Sequence, residues 1–253
     1  MISRLRHNSL FIIGHTVVIY GGTIALTIVL GITAILVSLF SKTGNWVHHI
    51  ARIWGKGILW ISGIRVDSSG NVRIDPGGSF IFMANHLSQF DIPVLLSAIP
   101  VQFRWLAKAE LFKIPIFGRG MRGAGYISID RLDHKSAIRS LDRAAKSIRN
   151  GTSVVIFPEG TRSSDGRLSA FKKGGFFLAV DAGVPIIPLV IQGTHEIMPK
   201  GRMSIQSHPV HIRFLPAVDT RCYSRKTKDE LLQRVRSDML RALDGDMPGG
   251  RHA

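Results

Sequence analysis

The stretch Phe80-Ile81-Phe82-Met83-Ala84-Asn85-His86-Leu87-Ser88-Gln89-Phe90-Asp91-Ile92-Pro93 decides how the rest of the chain is read. Phe80–Ala84 is an unbroken apolar run and reads as a strand. Asn85 and His86 fall in the turn after it. A helix then begins between Ser88 and Asp91, with Pro93 tolerated in its first turn. The pattern returns at Ser153–Phe157, a second apolar strand, followed by the loop Pro158-Glu159-Gly160-Thr161-Arg162-Ser163.

Outward from these two units the chain alternates. Further strand-like runs are Arg65–Asp67, Val72–Ile74, Gly125–Ile129, Ile186–Ile191 and Val210–Phe214; helix-like runs are Ile92–Ala98, His134–Arg149, Gly174–Ala182 and Thr227–Leu243. Asn150-Gly151 is a good stop for the second helix. Such alternation predicts an α/β fold with a mostly parallel central sheet flanked by helices. Three parts are expected: an N-terminal helical membrane anchor over 1–64, an α/β domain over 65–245 and a loose tail over 246–253.

The anchor rests on the run from Leu10 to Ser41, which contains no Lys, Arg, Asp or Glu. About 20 apolar residues suffice for a helix to cross a bilayer. The run is too long for a signal peptide and no cleavage site follows it. A spanning helix is the first expectation, a helical hairpin or interfacial anchor the second. Trp46–Ile64 follows, with Ile50, Ile53, Trp54, Ile58 and Ile61 at helical spacing and Arg52 and Lys56 on another face. That is the pattern of a basic amphipathic helix in a headgroup layer, or of a helix packed on the domain with solvated charges.

Composition narrows the class. The chain has 253 residues, 45% of them hydrophobic, with 33 Lys+Arg against 17 Asp+Glu and a net charge of +16. This favours polyanionic partners, whether nucleic acid, anionic lipid or a phosphorylated substrate. Nucleic acid is disfavoured because the aromatics concentrate in apolar runs rather than among the basic residues. The single Cys222 excludes an internal disulfide framework and fits a reducing compartment.

The two strand-ending loops carry the chemistry. His86 can take a proton from a hydroxyl and return one, and it works better with a carboxylate fixing its tautomer. Asp91, five residues on, would lie roughly 140° away on a continuous helix; in a turn followed by a helix start it curls back. In the second loop Gly160 lets the backbone approach an anion, Arg162 can grip phosphate through two parallel bonds, and Thr161 adds a hydroxyl. Glu159 is expected to meet a substrate hydroxyl or an arginine. Asp130-Arg131 ends a third strand and adds a cation at the same edge, whereas Lys108 by spacing alone reads as a solvated helix charge. Gly118-Arg119-Gly120-Met121-Arg122-Gly123 matches a dinucleotide fingerprint in the wrong context and is expected to be a flexible loop with two arginines near the substrate. There is no nucleophile elbow and no metal-binding spacing, so no metal or resident cofactor is expected.

These residues give the chain a recognisable pattern. It resembles the glycerolipid acyltransferases, and within them the bacterial lysophosphatidic acid acyltransferases. Asn85–Asp91 is similar to the NHxSxxD block. Gly125–Arg131 is similar to the second block, with Ser128 where an aromatic is common. Phe157–Ser163 matches the third, and Val184–Val190 resembles the fourth. The resemblance implies that His86, oriented by Asp91, deprotonates the sn-2 hydroxyl of a lysophospholipid, which attacks the thioester of acyl-CoA or acyl-carrier protein. It further implies that Glu159, Gly160, Thr161 and Arg162 bind the acceptor, with Arg131 and Lys108 near its phosphate, and that the fourth block lines an acyl tunnel or is simply a core strand. It implies as well an N-terminal anchor in the cytoplasmic membrane, in some members two helices held in one leaflet rather than a span, with the catalytic domain facing the cytosol. Another lysolipid, such as lyso-ornithine lipid, would serve the same four blocks. A catalytically idle lipid-binding protein would not need both His86 and Asp91.

Overall fold

The computed structural model describes residues 9–41, 43–70, 72–130 and 133–245. Among them, seven strands form one sheet in the order β1-β7-β6-β2-β5-β3-β4. The strands are β1 (Val66–Ser69), β2 (Ile81–Ala84), β3 (Phe103–Lys108), β4 (Ile127–Ile129), β5 (Ser153–Ile156), β6 (Ile186–Gln192) and β7 (Val210–Phe214). Five neighbouring pairs are parallel and β6–β7 is antiparallel. In the centre Ile81 stands opposite both Val154 and Ile186. All four residues of β2 and of β5 are buried, as expected of strands covered on both faces. β6, β2, β5, β3 and β4 all run the same way, so their carboxyl ends lie along one edge.

Helices cover both faces. α1 (Ser9–Phe40), α2 (Asn45–Ile61), α3 (Asp91–Ala98) and α4 (Phe117–Gly123) precede β4; α5 (His134–Arg149), α6 (Gly174–Ala182), the short α7 (Thr194–Ile197) and α8 (Lys228–Asp244) follow it. On one face Phe82, Phe103, Trp105, Val155 and Leu189 pack with residues of α2 and α3. On the other, Ile81, Met83, Val154, Ile156 and Val190 pack with α5, α6 and α8. The alternation of inward side chains along each strand makes these two cores.

The expected α/β architecture is present, with three local corrections. Phe103–Lys108 is a strand, so Lys108 ends a strand rather than riding on a helix. Val72–Ile74 has no strand partner. The glycine-rich stretch is helical and not a flexible loop: α4 forms because its glycines meet neighbours that a side chain would strike. A Cβ on Gly118 would lie 2.3 Å from the Phe112 carbonyl oxygen, and one on Gly123 2.7 Å from Ser38 Cβ. Packing thus overrides the poor helix propensity of glycine. The Arg122 guanidinium donates to the Phe112 carbonyl oxygen. The expected tail, 246–253, lies outside the described residues.

α1 and α2 form an antiparallel pair laid along the domain. Trp54 Nε1 donates to Thr27 Oγ1 across the pair at 2.9 Å. Near the start of α1, the Ile205 amide donates to Thr16 Oγ1 at 3.0 Å and Tyr20 Oη donates to the Met203 carbonyl at 3.1 Å. Near its end, Ala34 and Ser38 meet α4. α2 buries Val47, His48, Gly55, Ile58 and Leu59, and Arg52 reaches the Val101 carbonyl of the domain. Burial, reinforced by Arg104 and Arg52, holds His48 down to about 3, so its ring is neutral where it meets Tyr126 Oη at 3.1 Å. The outward surface is apolar: Trp46, Ile53 and Trp60, seven residues apart and therefore on one side of α2, are exposed together with Val17, Ile24 and Leu36 of α1.

Candidate active site

β2 delivers Asn85 and His86 to the carboxyl edge, and α3 begins at Asp91. His86 Nδ1 lies 2.7 Å from Asp91 Oδ2. The same oxygen accepts the backbone N–H groups of Leu87 and Ser88 at 2.7 and 2.9 Å. Asp91 Oδ1 accepts the Thr194 hydroxyl at 2.6 Å. Asp91 is fully buried, yet four donors surround it, which is what lets a carboxylate sit in a core. A carboxylate oxygen accepts, so Nδ1 of His86 donates, and Nε2 of the neutral ring keeps its lone pair. The imidazole stacks on Phe157 with centroids 3.8 Å apart, and Trp105 also stacks with Phe157, at 5.7 Å.

The turn carrying His86 is fastened on both sides. The Asn85 amide donates to the Ile191 carbonyl at 2.8 Å and accepts the Ile191 N–H at 2.7 Å, clamping the end of β2 to β6. The Ser88 hydroxyl donates to the Met198 carbonyl. Towards β5, the His86 N–H donates to Glu159 Oε1 at 2.7 Å, the Ser169 N–H donates to Oε2 at 2.8 Å, and the Ser163 N–H donates to the His86 carbonyl at 2.8 Å. Glu159 is therefore held by the His86 and Ser169 amides and the Ser169 side chain, where an arginine or a substrate hydroxyl was expected, and the residue is 2% exposed. Burial pushes its carboxyl above the usual range, against the lowering effect of the Ser169 and His86 amides.

His86 opens onto a cavity of ≈ 340 Å³ between the sheet and the α1–α2 pair. Leu30, Ala34, Val47, Ile50 and Trp54 form its apolar roof, while Lys108, Thr161 and Arg162 join Gly160 and His86 in its wall. Lys108 pairs with Glu110 at 2.9 Å, both largely exposed. The guanidinium of Arg162 has no acceptor among the described residues, though its carbonyl accepts Lys200 Nζ at 3.1 Å. The structure thus brings His86, Asp91, Gly160, Thr161, Arg162 and Lys108 together. Arg131 lies outside the described residues. The fourth block is not in the wall of this cavity; Ile186–Val190 is fully buried in the core as β6. Among the described residues no group of three or more His, Cys, Asp or Glu converges.

Sequence reading missed three contributors. Thr194 follows Gly193 at the end of β6, and its place at the same edge was the available signal. Asn85 adjoins the histidine, but its partner is 106 residues away. Trp105 could be found only once β3 was recognised.

Residues 65–192 match the family model described as Acyltransferase. The chain belongs to this family. It is 36% identical over 174 residues to a chloroplast 1-acyl-sn-glycerol-3-phosphate acyltransferase of Brassica napus, covering 68% of this chain and 50% of the relative. It is 30% identical over 186 residues to the 1-acyl-sn-glycerol-3-phosphate acyltransferase of Borreliella burgdorferi, covering 74% of each. The chain thus spans about half the length of the chloroplast relatives it matches. The crystal structure of the 1-acyl-sn-glycerophosphate (LPA) acyltransferase PlsC from Thermotoga maritima is similar over 92% of this chain and 94% of that one, with a TM-score of 0.80 and 28% identity.

The raised carboxyl of Glu159 yields a test of its buried, amide-bound state. Between the unfolded and folded values the folded protein holds the extra proton, so this group's contribution to stability falls as pH rises through that window. Glu159→Gln cannot titrate. The stability of wild type minus that of Glu159→Gln, from denaturant unfolding at a series of pH values, is expected to decline from the ordinary glutamate range upward. A flat or rising difference would contradict the burial.

Proposed function

We propose that this protein transfers a fatty acyl group from acyl-CoA or acyl-carrier protein to the sn-2 hydroxyl of lysophosphatidic acid, giving phosphatidic acid. The observation that carries this reading is the His86–Asp91 pair opening onto an apolar cavity rimmed by Arg162 and Lys108. Hydrocarbon fits such a roof, and phosphate fits an unpaired guanidinium beside a glycine turn. The names of the relatives in two kingdoms support the same acceptor.

In this mechanism Nε2 of His86 takes the proton of the acceptor hydroxyl as its oxygen attacks the thioester carbonyl. The C–O bond forms, the tetrahedral centre collapses, the C–S bond breaks, and His86 returns the proton to the leaving sulfur. Asp91 steadies the imidazolium that exists between these events. Arg162, Thr161 and Gly160 hold the acceptor phosphate with Lys108, and Arg131 is assigned to the same phosphate by its place in the sequence block. Glu159 positions rather than binds: it fixes the His86 backbone to the loop that holds the phosphate. The thioester is a co-substrate, and no resident cofactor is assigned.

The α1–α2 layer is the membrane anchor in this reading. The contacts of α1 with the domain extend from Thr16 to Ser38, about 33 Å at about 1.5 Å per residue. That is the thickness of a hydrocarbon core, about 30 Å. An upright α1 would drag the domain through the bilayer with it. The pair therefore lies in one leaflet with its apolar side outward, and the site faces the cytosol, where both acyl donors are made.

His86→Ala is expected to lower transfer of labelled acyl groups to lysophosphatidic acid in mixed micelles by roughly 10³-fold or more, in a protein that stays folded at a lowered thermal midpoint because Asp91 loses one of its four donors, and Arg162→Ala to raise chiefly the acceptor KM. Retained turnover in His86→Ala would overturn the base assignment, and product from a different lysolipid alone would overturn the acceptor. Replacing Trp46, Ile53 and Trp60 together by Ser is expected to weaken flotation with anionic liposomes without unfolding the domain. Unchanged flotation would contradict the buried outer side of α2.

A further inference from the structure

A second cavity, of ≈ 580 Å³, lies on the opposite face of the sheet, between β4, β5, α5 and α6. Its wall mixes apolar residues, Ile129, Ile138, Leu141 and Phe177, with Lys172, Lys173 and Arg225. Leu106, Phe157 and Gly160 line both cavities. The two spaces therefore adjoin at the carboxyl edge of β3 and β5, beside the ring on which His86 stacks.

We propose that this second cavity receives the phosphopantetheine arm of the thioester donor, with the sulfur where the two cavities adjoin beside Phe157 and the phosphate at the outer cations. The inference rests on the acyl-transfer reading above and names where its donor binds.

Three observations favour this occupant. The first is the partition of chemistry between the faces. The cavity under α1 and α2 is roofed by apolar side chains and backs onto the apolar exposed layer, so it suits hydrocarbon. The donor's arm is different: it carries a phosphodiester and amides and arrives from water. The second cavity lies on the face away from α1 and α2 and offers both apolar and charged wall.

The second observation is the junction. Gly160 has φ +74°, and a Cβ there would lie 2.9 Å from Lys172 Cδ and 3.4 Å from Nζ. Glycine keeps the backbone thin where the two spaces adjoin, and the Lys172 stem lies against it. The ammonium of Lys172 has no acceptor among the described residues, so a cation stands free beside the point where a thiolate would leave.

The third is the charge of the outer wall. Lys173 pairs with Asp229 at 3.0 Å and Arg225 with Asp181 at 2.7 Å. Asp142 also lines the cavity. The Lys173–Asp229 pair is exposed on both sides, and such pairs are weak, so a phosphodiester can recruit the lysine without a large loss. Phosphopantetheine is common to CoA and to acyl-carrier protein, and the basic residues Arg139 and Arg143 lie exposed on α5 beside the cavity wall, where either an acidic carrier or a nucleotide could rest.

Ile138 is 46% exposed on this wall and is distant in role from His86 and from the acceptor residues. The test uses full-length wild type and Ile138→Trp in mixed micelles, with Ala137→Phe as a second filling variant and thermal midpoints as the check on folding. In initial-rate assays the KM for palmitoyl-CoA or palmitoyl-carrier protein is expected to rise about tenfold or more, while the KM for lysophosphatidic acid stays within about twofold. A rise against one donor alone supports the site and identifies that donor as the source of the arm. Calorimetry with 4′-phosphopantetheine, with no acceptor present, is expected to give saturable binding to wild type that either variant loses. An unchanged donor KM in both folded variants, or a rise in the acceptor KM instead, overturns the proposal. Saturable binding in a protein that makes no phosphatidic acid would keep the donor cavity and sink the acceptor reading.

Discussion

The carboxylate of Asp91 is the constraint on which the site depends. It sits at zero exposure in the first turn of α3, where a negative charge is favoured by the helix N-terminus. Three of its four donors come from the turn after β2 and the fourth from the start of α7, while Asp91 itself opens α3. A buried carboxylate short of partners costs several kcal/mol, so the three segments hold one another in place through it. The histidine inherits that rigidity. Its ring can be neither the other tautomer nor swung aside without leaving Asp91 short of a donor. Asn85 and Glu159 extend the same logic to β6 and β5 by fixing the backbone on either side of His86. The edge of the sheet becomes a preorganised platform, in which little needs to move when a hydroxyl arrives.

The N-terminal pair makes the proposed function an interfacial one. The helices that roof the cavity also present the exposed apolar residues of α1 and α2. Each exposed Ile or Trp on that layer would be costly in water, at about 25 cal/mol per Å² of apolar surface, and would be at ease in a leaflet. In the proposed reading, an acceptor whose chain lies among the lipids would reach His86 without crossing bulk water, while a soluble donor would approach from the other face.

Much of this was legible in the sequence, for definite reasons. β2, β5 and β6 are mostly apolar, and α5 and α6 occupy the spans their periodicity predicts. His86 and Asp91 were readable because a turn and a helix start bring five-apart residues together. What escaped depends on distant partners. Arg104 interrupts β3 with a charge, and it is buried only because Thr43, Asn45, Gln102 and the Phe103 carbonyl receive its guanidinium. The glycines of α4 read as a loop because what they abut, the Phe112 backbone and the Ala34 and Ser38 side chains of α1, is set by the fold. Glu159 reads as a ligand for substrate because a loop carboxylate ordinarily faces water; its partners are amides 73 residues before it and 10 after. Val72–Ile74 has the composition of a strand and no neighbour to pair with.

The direct test of the account is the tautomer of the His86 imidazole. Histidine-selective ¹⁵N NMR in micelles across a pH series, with His86→Gln assigning the resonance, would read both ring nitrogens of the neutral form. The account predicts a neutral form protonated at Nδ1 and bare at Nε2, as donation to Asp91 requires. A neutral form protonated at Nε2 would contradict it, because it leaves Asp91 without that donor and no lone pair facing the cavity.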